Sequence, residues 1–159
     1  MIFEASQDFA LPFPHGEEEA LAFMRDPGRS LSRVRFLRGL SFDGTVVRAE
    51  MLVNVPMFGE IALPFESTLV STERGARLVD CPLEDRAWAA VRGEGEVVDG
   101  ELRYRLVFRA HLELPGPEKW GGAAFEKMFH AAAARTLDRV AREFPDGVRA
   151  AAGAVSGPT

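Results

Sequence analysis

Residues 117–144 read PEKWGGAAFEKMFHAAAARTLDRVAREF, and the periodicity of this stretch decides how the rest of the chain is read. At about 100° per residue, Phe125, Phe129, Ala132, Ala133, Thr136, Leu137, Val140 and Phe144 gather on one side of a helix. Lys127, Arg135, Asp138 and Arg142 gather on the other. Pro117 suits a first helical position, where a backbone donor has no partner to lose. Gly121 and Gly122 each disfavour a helix interior by about 1 kcal/mol, which moves the expected start past them. Pro145-Asp146-Gly147 is the expected end, and Val148–Thr159, rich in Ala, Gly and Ser, reads as a flexible tail. The apolar side is bulky at both ends and thin at Ala132, Ala133 and Thr136. Such a helix needs an apolar surface to lie on, and the preceding sequence supplies one as strands.

The clearest strand comes just before it. From Glu101 to Leu114, the residues Leu102, Tyr104, Leu106, Phe108, Ala110, Leu112 and Leu114 alternate with Arg103, Arg105, Arg109, His111 and Glu113. One face is therefore buried and the other wet, with Val107 the exception. Asp99-Gly100 joins it by a hairpin turn to Arg86–Val98, and Asp43-Gly44 joins Val34–Phe42 to Thr45–Val55. Glu60–Thr72 and Ala76–Cys81 complete a meander, because turns at such short spacing leave no room for parallel crossovers. At the N-terminus, Phe3, Ala5, Phe9 and Leu11 mark one face of a further strand. Glu17, Glu18 and Glu19 then suit a helix start, and Asp26-Pro27-Gly28 stops that helix, with a further short turn expected at Ser30–Ser32.

The bulk numbers bound the function. A chain of 159 residues that is 47% hydrophobic builds one full core. A net charge of -5 argues against a nucleic-acid partner, which needs a basic face. The basic residues are almost all Arg, with Lys119 and Lys127 the exceptions, which reads as compositional bias. Cys81 is the sole cysteine, so no intrachain disulfide or CxxC site is expected. No apolar run reaches the length of a membrane span, and the N-terminus lacks the pattern of a signal peptide. A cytoplasmic protein is the expectation, as monomer or homodimer.

The element order is strand, short helices, about six antiparallel strands and a long C-terminal helix. On that order and pattern the chain resembles the START-like (SRPBCC, helix-grip) superfamily, and it looks like a small bacterial family of unknown function within that group. The resemblance covers Met1 to about Phe144 and rests on no short motif. It implies an α+β helix-grip fold, with a curved antiparallel sheet of about seven strands wrapped on the last helix. It also implies a hydrophobic cavity between sheet and helix. The expected domain is residues 1–147, followed by the tail at 148–159.

Candidate residues follow from where small and polar side chains meet that space. The thin middle of the helix faces a second economical wall, since Ala87, Ala89, Val91, Gly93 and Gly95 share one face of their strand. Small residues on both walls favour a cavity; against it, interiors are close-packed, and Trp88, Phe65, Tyr104 or Phe108 can fill the room. Phe65, Tyr104, Phe108, Phe125, Phe129, Ala132 and Thr136 are the residues expected to line a site. Tyr104, the sole tyrosine, faces inward, and a buried phenol needs a hydrogen-bond partner. His130 lies four residues after Glu126 on one helix side, close enough to hydrogen-bond and have its pKa raised. Met57-Phe58 forms an unusually apolar turn, read either as a lid or as a tip folded back on the long helix. The arginine row Arg103, Arg105 and Arg109 reads as a solvated face, pairing with Glu94, Glu96 or Glu113.

HExxH and GxSxG are both absent, and no residue set forms a catalytic constellation. The expected function is therefore non-enzymatic binding of a small hydrophobic or amphipathic ligand, with no cofactor and no metal. A cyclase- or dehydratase-like enzyme using Tyr104 or His130 is the first alternative, by resemblance to the superfamily. An interaction or structural protein with a filled core is the second.

Overall fold

Alternation of apolar side chains with period two, broken at Gly and Pro, produces seven strands in the computed structural model, which describes residues 2–55, 58–113 and 122–155. In chain order these are β1 (Ile2–Pro12), α1 (Glu17–Met24), α2 (Pro27–Ser30), β2 (Leu37–Phe42), β3 (Val46–Val55), β4 (Gly59–Ser71), β5 (Gly75–Cys81), β6 (Ala87–Val98), β7 (Glu101–Leu112) and α3 (Ala123–Val155). The sheet order is β1-β7-β6-β5-β4-β3-β2 with every neighbouring pair antiparallel. This is the helix-grip arrangement, a curved antiparallel sheet with short helices after its first strand and a long helix at the end. One pairing was not read from the sequence: β1 returns to lie along β7, from Ile2 opposite His111 to Pro12 opposite Glu101.

The hairpin chemistry is as the sequence dictates. Asp99 and Gly100 both take positive φ, at 48° and 78°, as a two-residue hairpin of this hand requires. Asp43 instead tightens its turn by accepting from the backbone N–H groups of Val46 at 2.7 Å and Thr45 at 2.9 Å. Those donors hold its carboxyl below the usual range. Pro64 sits inside β4, where β5 does not reach, because β5 pairs with β4 only from Glu66 onward. Between β4 and β6, the buried Ser67 donates to the carbonyl of Val91 at 2.5 Å, so its hydroxyl is satisfied within the core.

The concave face carries the core. Phe3, Leu11, Val47, Met51, Leu63, Phe65, Val91, Leu102 and Phe108 are all buried, and α3 lies across them, mainly over β1 with a smaller contact to β3. Phe144 packs against Phe108 and Phe36, with ring centroids 4.4 and 4.8 Å apart.

The helix end differs from expectation. Pro145-Asp146-Gly147 does not stop α3, which continues to Val155. Val148, Ala151 and Ala152 are buried, so residues 148–155 are not a flexible tail and the expected boundary at 147 has no structural counterpart. The apolar stripe Leu137, Ala141, Phe144, Val148, Ala151 simply continues at helical spacing, and its burial outweighs the local cost of a proline. Gly147 is required by this contact: a Cβ there would lie 2.6 Å from Cγ2 of Val34. Residues 156–159 lie outside the described residues, as do Met57, Leu114 and the stretch 115–121.

Candidate functional site

The expected cavity at the thin middle of the last helix is closed. Phe3, Val53, Val55 and Leu112 come up to Ala133, Thr136 and Leu137 and leave only about 10 Å³ between them. That is barely the room of one water. Curling of the sheet brings β1 and β3 onto the small residues directly, and the Thr136 hydroxyl turns back to donate to the carbonyl of Ala132 at 3.1 Å. Of the aromatic residues weighed as fillers, Trp88 lies stacked on His111 with ring centroids 4.0 Å apart.

A larger space, about 40 Å³, opens further along the sheet, under the short helices. Its floor is Leu69, Ala76, Leu78, Gly93, Gly95, Tyr104 and Leu106 from β4 to β7. Its roof is Met24, Pro27 and Leu31 from α1 and α2, with Val148 from the continued part of α3. The glycine end of the β6 row thus reaches a cavity, as its small residues suggested. Most of the room those glycines leave is nevertheless taken. A Cβ on Gly95 would meet Sδ of Met24 at 2.7 Å, and one on Gly93 would meet the carbonyl oxygen of Arg105 at 2.3 Å. Close approach, more than emptiness, is what the glycines permit.

Of the residues expected to line a site, Tyr104 alone among the described residues borders this cavity. Phe65 and Phe108 are core, the latter against Phe144. Phe125 and Phe129 cluster near the start of α3, where Phe129 meets Phe3 and Phe58. Ala132 is only partly buried, and Thr136 borders the small closed space. The Phe58 contact agrees with a turn folded back on the long helix, while Met57 lies outside the described residues. His130 packs on Phe3 at 4.6 Å and, among the described residues, makes no hydrogen bond to Glu126. Tyr104 and His130 do not share a site.

Tyr104 is unusual in its polarity. Its ring stacks on Phe9 across the β1–β7 pair, at 5.0 Å and 17°. Part of the residue stays open to solvent, but the hydroxyl oxygen is buried and finds no hydrogen-bond partner among the described residues. Desolvation pushes its pKa well above the ordinary value of 10.0, so the group stays protonated, a donor, at physiological pH. Charged groups stay outside: Arg77 and Glu94 border the cavity but are exposed, and Glu94 reaches 4.0 Å from Arg105 on the outer face. The arginine row is indeed a solvated face, yet Arg109 and Arg105 pair more closely with β1, at 2.8 Å to Glu4 and 3.5 Å to Asp8, while Arg103 pairs with Glu101 on its own strand at 3.2 Å. Sequence reading missed these because it lacked the β1–β7 pairing.

The roof is tied down by Arg25, next to Met24. Its guanidinium donates to the carbonyls of Thr72 at 2.7 Å and Gly75 at 3.0 Å, fixing the end of α1 to the β4–β5 turn. The roof residues were legible only in part: Met24 and Leu31 flank Pro27 as apolar positions, but nothing local says what they cover. No group of three His, Cys, Asp or Glu residues is arranged to hold a metal among the described residues. No described helix is long and apolar enough to cross a membrane.

The fold is shared with solved proteins of low sequence identity. The protein TTHA0849 from Thermus thermophilus superposes with a TM-score of 0.58 at 14% identity, covering 97% of this chain and 99% of that one. Zhui aromatase/cyclase from Streptomyces sp. R1128 gives 0.52 at 13% identity, covering 99% and 100%. The di-domain ARO/CYC StfQ from the steffimycin biosynthetic pathway gives 0.51 at 11% identity, and the chain spans 53% of its length. Identities this low show the shared fold and nothing finer. No curated protein sequence matches the chain. A family profile does match, over residues 8–142, and the chain accordingly belongs to the family described as "Protein of unknown function (DUF3809)".

Proposed function

We propose that this protein is a non-enzymatic binder of a small hydrophobic or amphipathic molecule, held between the sheet and the α1–α2 roof. The observation that carries the reading is a space of about 40 Å³ between the sheet and the α1–α2 roof, with Leu69, Leu78, Leu106, Met24 and Val148 among its lining residues. Apolar walls supply affinity through surface removed from water, at roughly 25 cal/mol per Å² before ordering costs. At about 40 Å³ the space takes a few heavy atoms, so a larger occupant requires the roof to give. Met24 suits that task, because an unbranched thioether repacks more readily than a branched side chain.

Native mass spectrometry of the purified protein, followed by titration with benzene watched at the methyl resonances of Leu69, Leu78 and Leu106, tests the reading. Saturable shifts are expected in wild type and not in Ala76→Phe, whose ring takes the space. No retained molecule and no shift at those methyls would overturn it.

A cyclase-like enzyme is the second reading, favoured by the fold shared with Zhui aromatase/cyclase. It needs an acid or base facing the cavity, and Tyr104 is the candidate there. A phenol held protonated by burial serves as a donor and not as a base. A cyclisation activity that survives Tyr104→Phe would remove this assignment.

A further inference from the structure

We infer that Met24 is the side chain that decides what this cavity holds: its thioether plugs the floor over Gly75 and Gly95, and a bound apolar molecule takes the plug's place while the roof stays down. The inference rests on the binding reading above and names the specificity-determining residue of that site.

The plug follows from two glycines on neighbouring strands. Gly75 opens β5, and Gly95 lies beside it in β6, opposite Ala76. A Cβ built on Gly75 would fall 2.7 Å from Sδ of Met24. One built on Gly95 would fall 2.7 Å from the same sulfur and 2.8 Å from Cε. The tip of Met24 therefore sits where two strand side chains would otherwise stand. Met24 and Gly95 both border the space of about 40 Å³, so withdrawing that tip from Gly95 enlarges it. The molecules admitted are small and compact, filling the present space and the place of one thioether.

The neighbours of Met24 hold its backbone in place. Phe23 is fully buried, 5.4 Å from the ring of Phe13 and 5.9 Å beneath the guanidinium of Arg29. On the other side, Arg25 donates to the carbonyls of Thr72 and Gly75. Lifting the roof breaks these contacts together, whereas turning the Met24 side chain breaks none of them. The rest of the wall is stiffer. Leu31, Leu69, Leu78, Leu106 and Val148 are branched, and Leu106 is itself seated on Gly93, where a Cβ would meet its Cδ2 at 2.7 Å. Methionine, unbranched and freely rotating, is the side chain that can leave and return.

The experiment titrates benzene into wild type, Met24→Ala and Met24→Leu, following the methyls of Leu69, Leu78 and Leu106. Nuclear Overhauser contacts between the Met24 ε-methyl and the Gly95 α-protons are read in wild type before and after saturation. Met24→Leu, which lacks that methyl signal, assigns it among the five methionines. In free wild type the contacts should be present, and saturation should replace them by contacts from benzene to Gly95. Met24→Ala, with no thioether to displace, should bind benzene about tenfold tighter. Met24→Leu keeps the apolar bulk but not the flexibility, and should bind several-fold more weakly than wild type.

Contacts from Met24 to Gly95 that persist while the leucine methyls saturate would overturn the inference and leave the cavity reading standing. Equal affinity in the three proteins would do the same. Binding confined to Met24→Ala would make the thioether a permanent part of the core, and failure of every protein to bind would leave no site, so either outcome removes the inference and the cavity reading together.

Discussion

The Tyr104 hydroxyl has consequences for stability that are separable from binding. Among the described residues the buried Tyr104 hydroxyl has no partner, and an unpaired buried hydroxyl costs about 1–3 kcal/mol relative to a satisfied one, so Tyr104→Phe is expected to stabilise the free protein by about 1 kcal/mol in urea unfolding. A loss of stability would mean that the hydroxyl is well paired. The same group gives a pH signature. The unfolded chain releases the phenol proton near the ordinary value of 10.0, while the folded chain retains it to higher pH. Above that point the native state binds more protons than the unfolded state, so stability falls as pH rises. Wild type should therefore lose stability above about pH 10 more steeply than Tyr104→Phe. Because Tyr104 is the only tyrosine, phenolate absorbance reports it without interference. His111 behaves in the opposite sense. Desolvation, with the charge of Arg109 beside it, pulls its pKa below the ordinary 6.5. Its ring protons should titrate with a midpoint below that value, and its contribution destabilises the fold as pH falls, since the unfolded state takes up the proton first.

At the scale of elements, local chemistry was a good guide wherever it had no competitor. The Asp-Gly turns, the start of α3 after Gly122 and the alternation in β7 all follow from neighbours in sequence. The end of α3 was misread for a physical reason. Proline and glycine cost helix stability locally, but Val148, Ala151 and Ala152 are buried, and residues more than a hundred positions away close on this end of the helix, Val34 against Gly147 and Met24 and Leu31 around the space that Val148 lines. Two glycines in this helix make the point testable. Helix propensity alone predicts that Gly→Ala stabilises by up to about 1 kcal/mol. Among the described residues, no atom beyond its chain neighbours and its own helix backbone comes within 4 Å of a Cβ added at Gly153, so Gly153→Ala should follow that rule. At Gly147 the added Cβ would meet Val34 backbone and side chain at 2.6–3.0 Å, so Gly147→Ala should destabilise despite the better propensity. Equal effects of the two substitutions in thermal unfolding would refute the packing account. Deleting residues 148–159 should likewise lower the melting temperature by several degrees, whereas removal of a flexible tail would leave it unchanged.

Across the whole molecule, the sheet's curvature decides what the sequence could not. The pattern of β6 and Tyr104 announced one wall of a cavity, but which element lies opposite depends on how far the sheet curls. Closure of β1 onto β7 brings Phe3 to the middle of α3 and fills the space that Ala132 and Ala133 seemed to leave. The cavity that persists lies where α1 and α2 cover the sheet, and those helices are too short to reveal their facing residues by periodicity. The same architecture sets a gradient of stability. β7 is paired on both sides along its whole length and covered by the core, so its amides can exchange only when most of the fold opens. β2 is an edge strand with an irregularity between Arg38 and Ser41, and none of its residues is fully buried. The α1–α2 roof is held by the buried Ala20, Phe23, Met24 and Leu31, with Phe23 against Phe13, and by the Arg25 tie to two carbonyls. Native-state hydrogen exchange should therefore rank protection as β7 above the roof and β2 lowest. Replacing Arg25 with Met, which keeps the stem but removes the donors, should raise exchange in α1 and α2 while leaving β7 slow. If β7 accelerated equally, the roof would be part of the global unit, and a ligand could enter only by unfolding the domain.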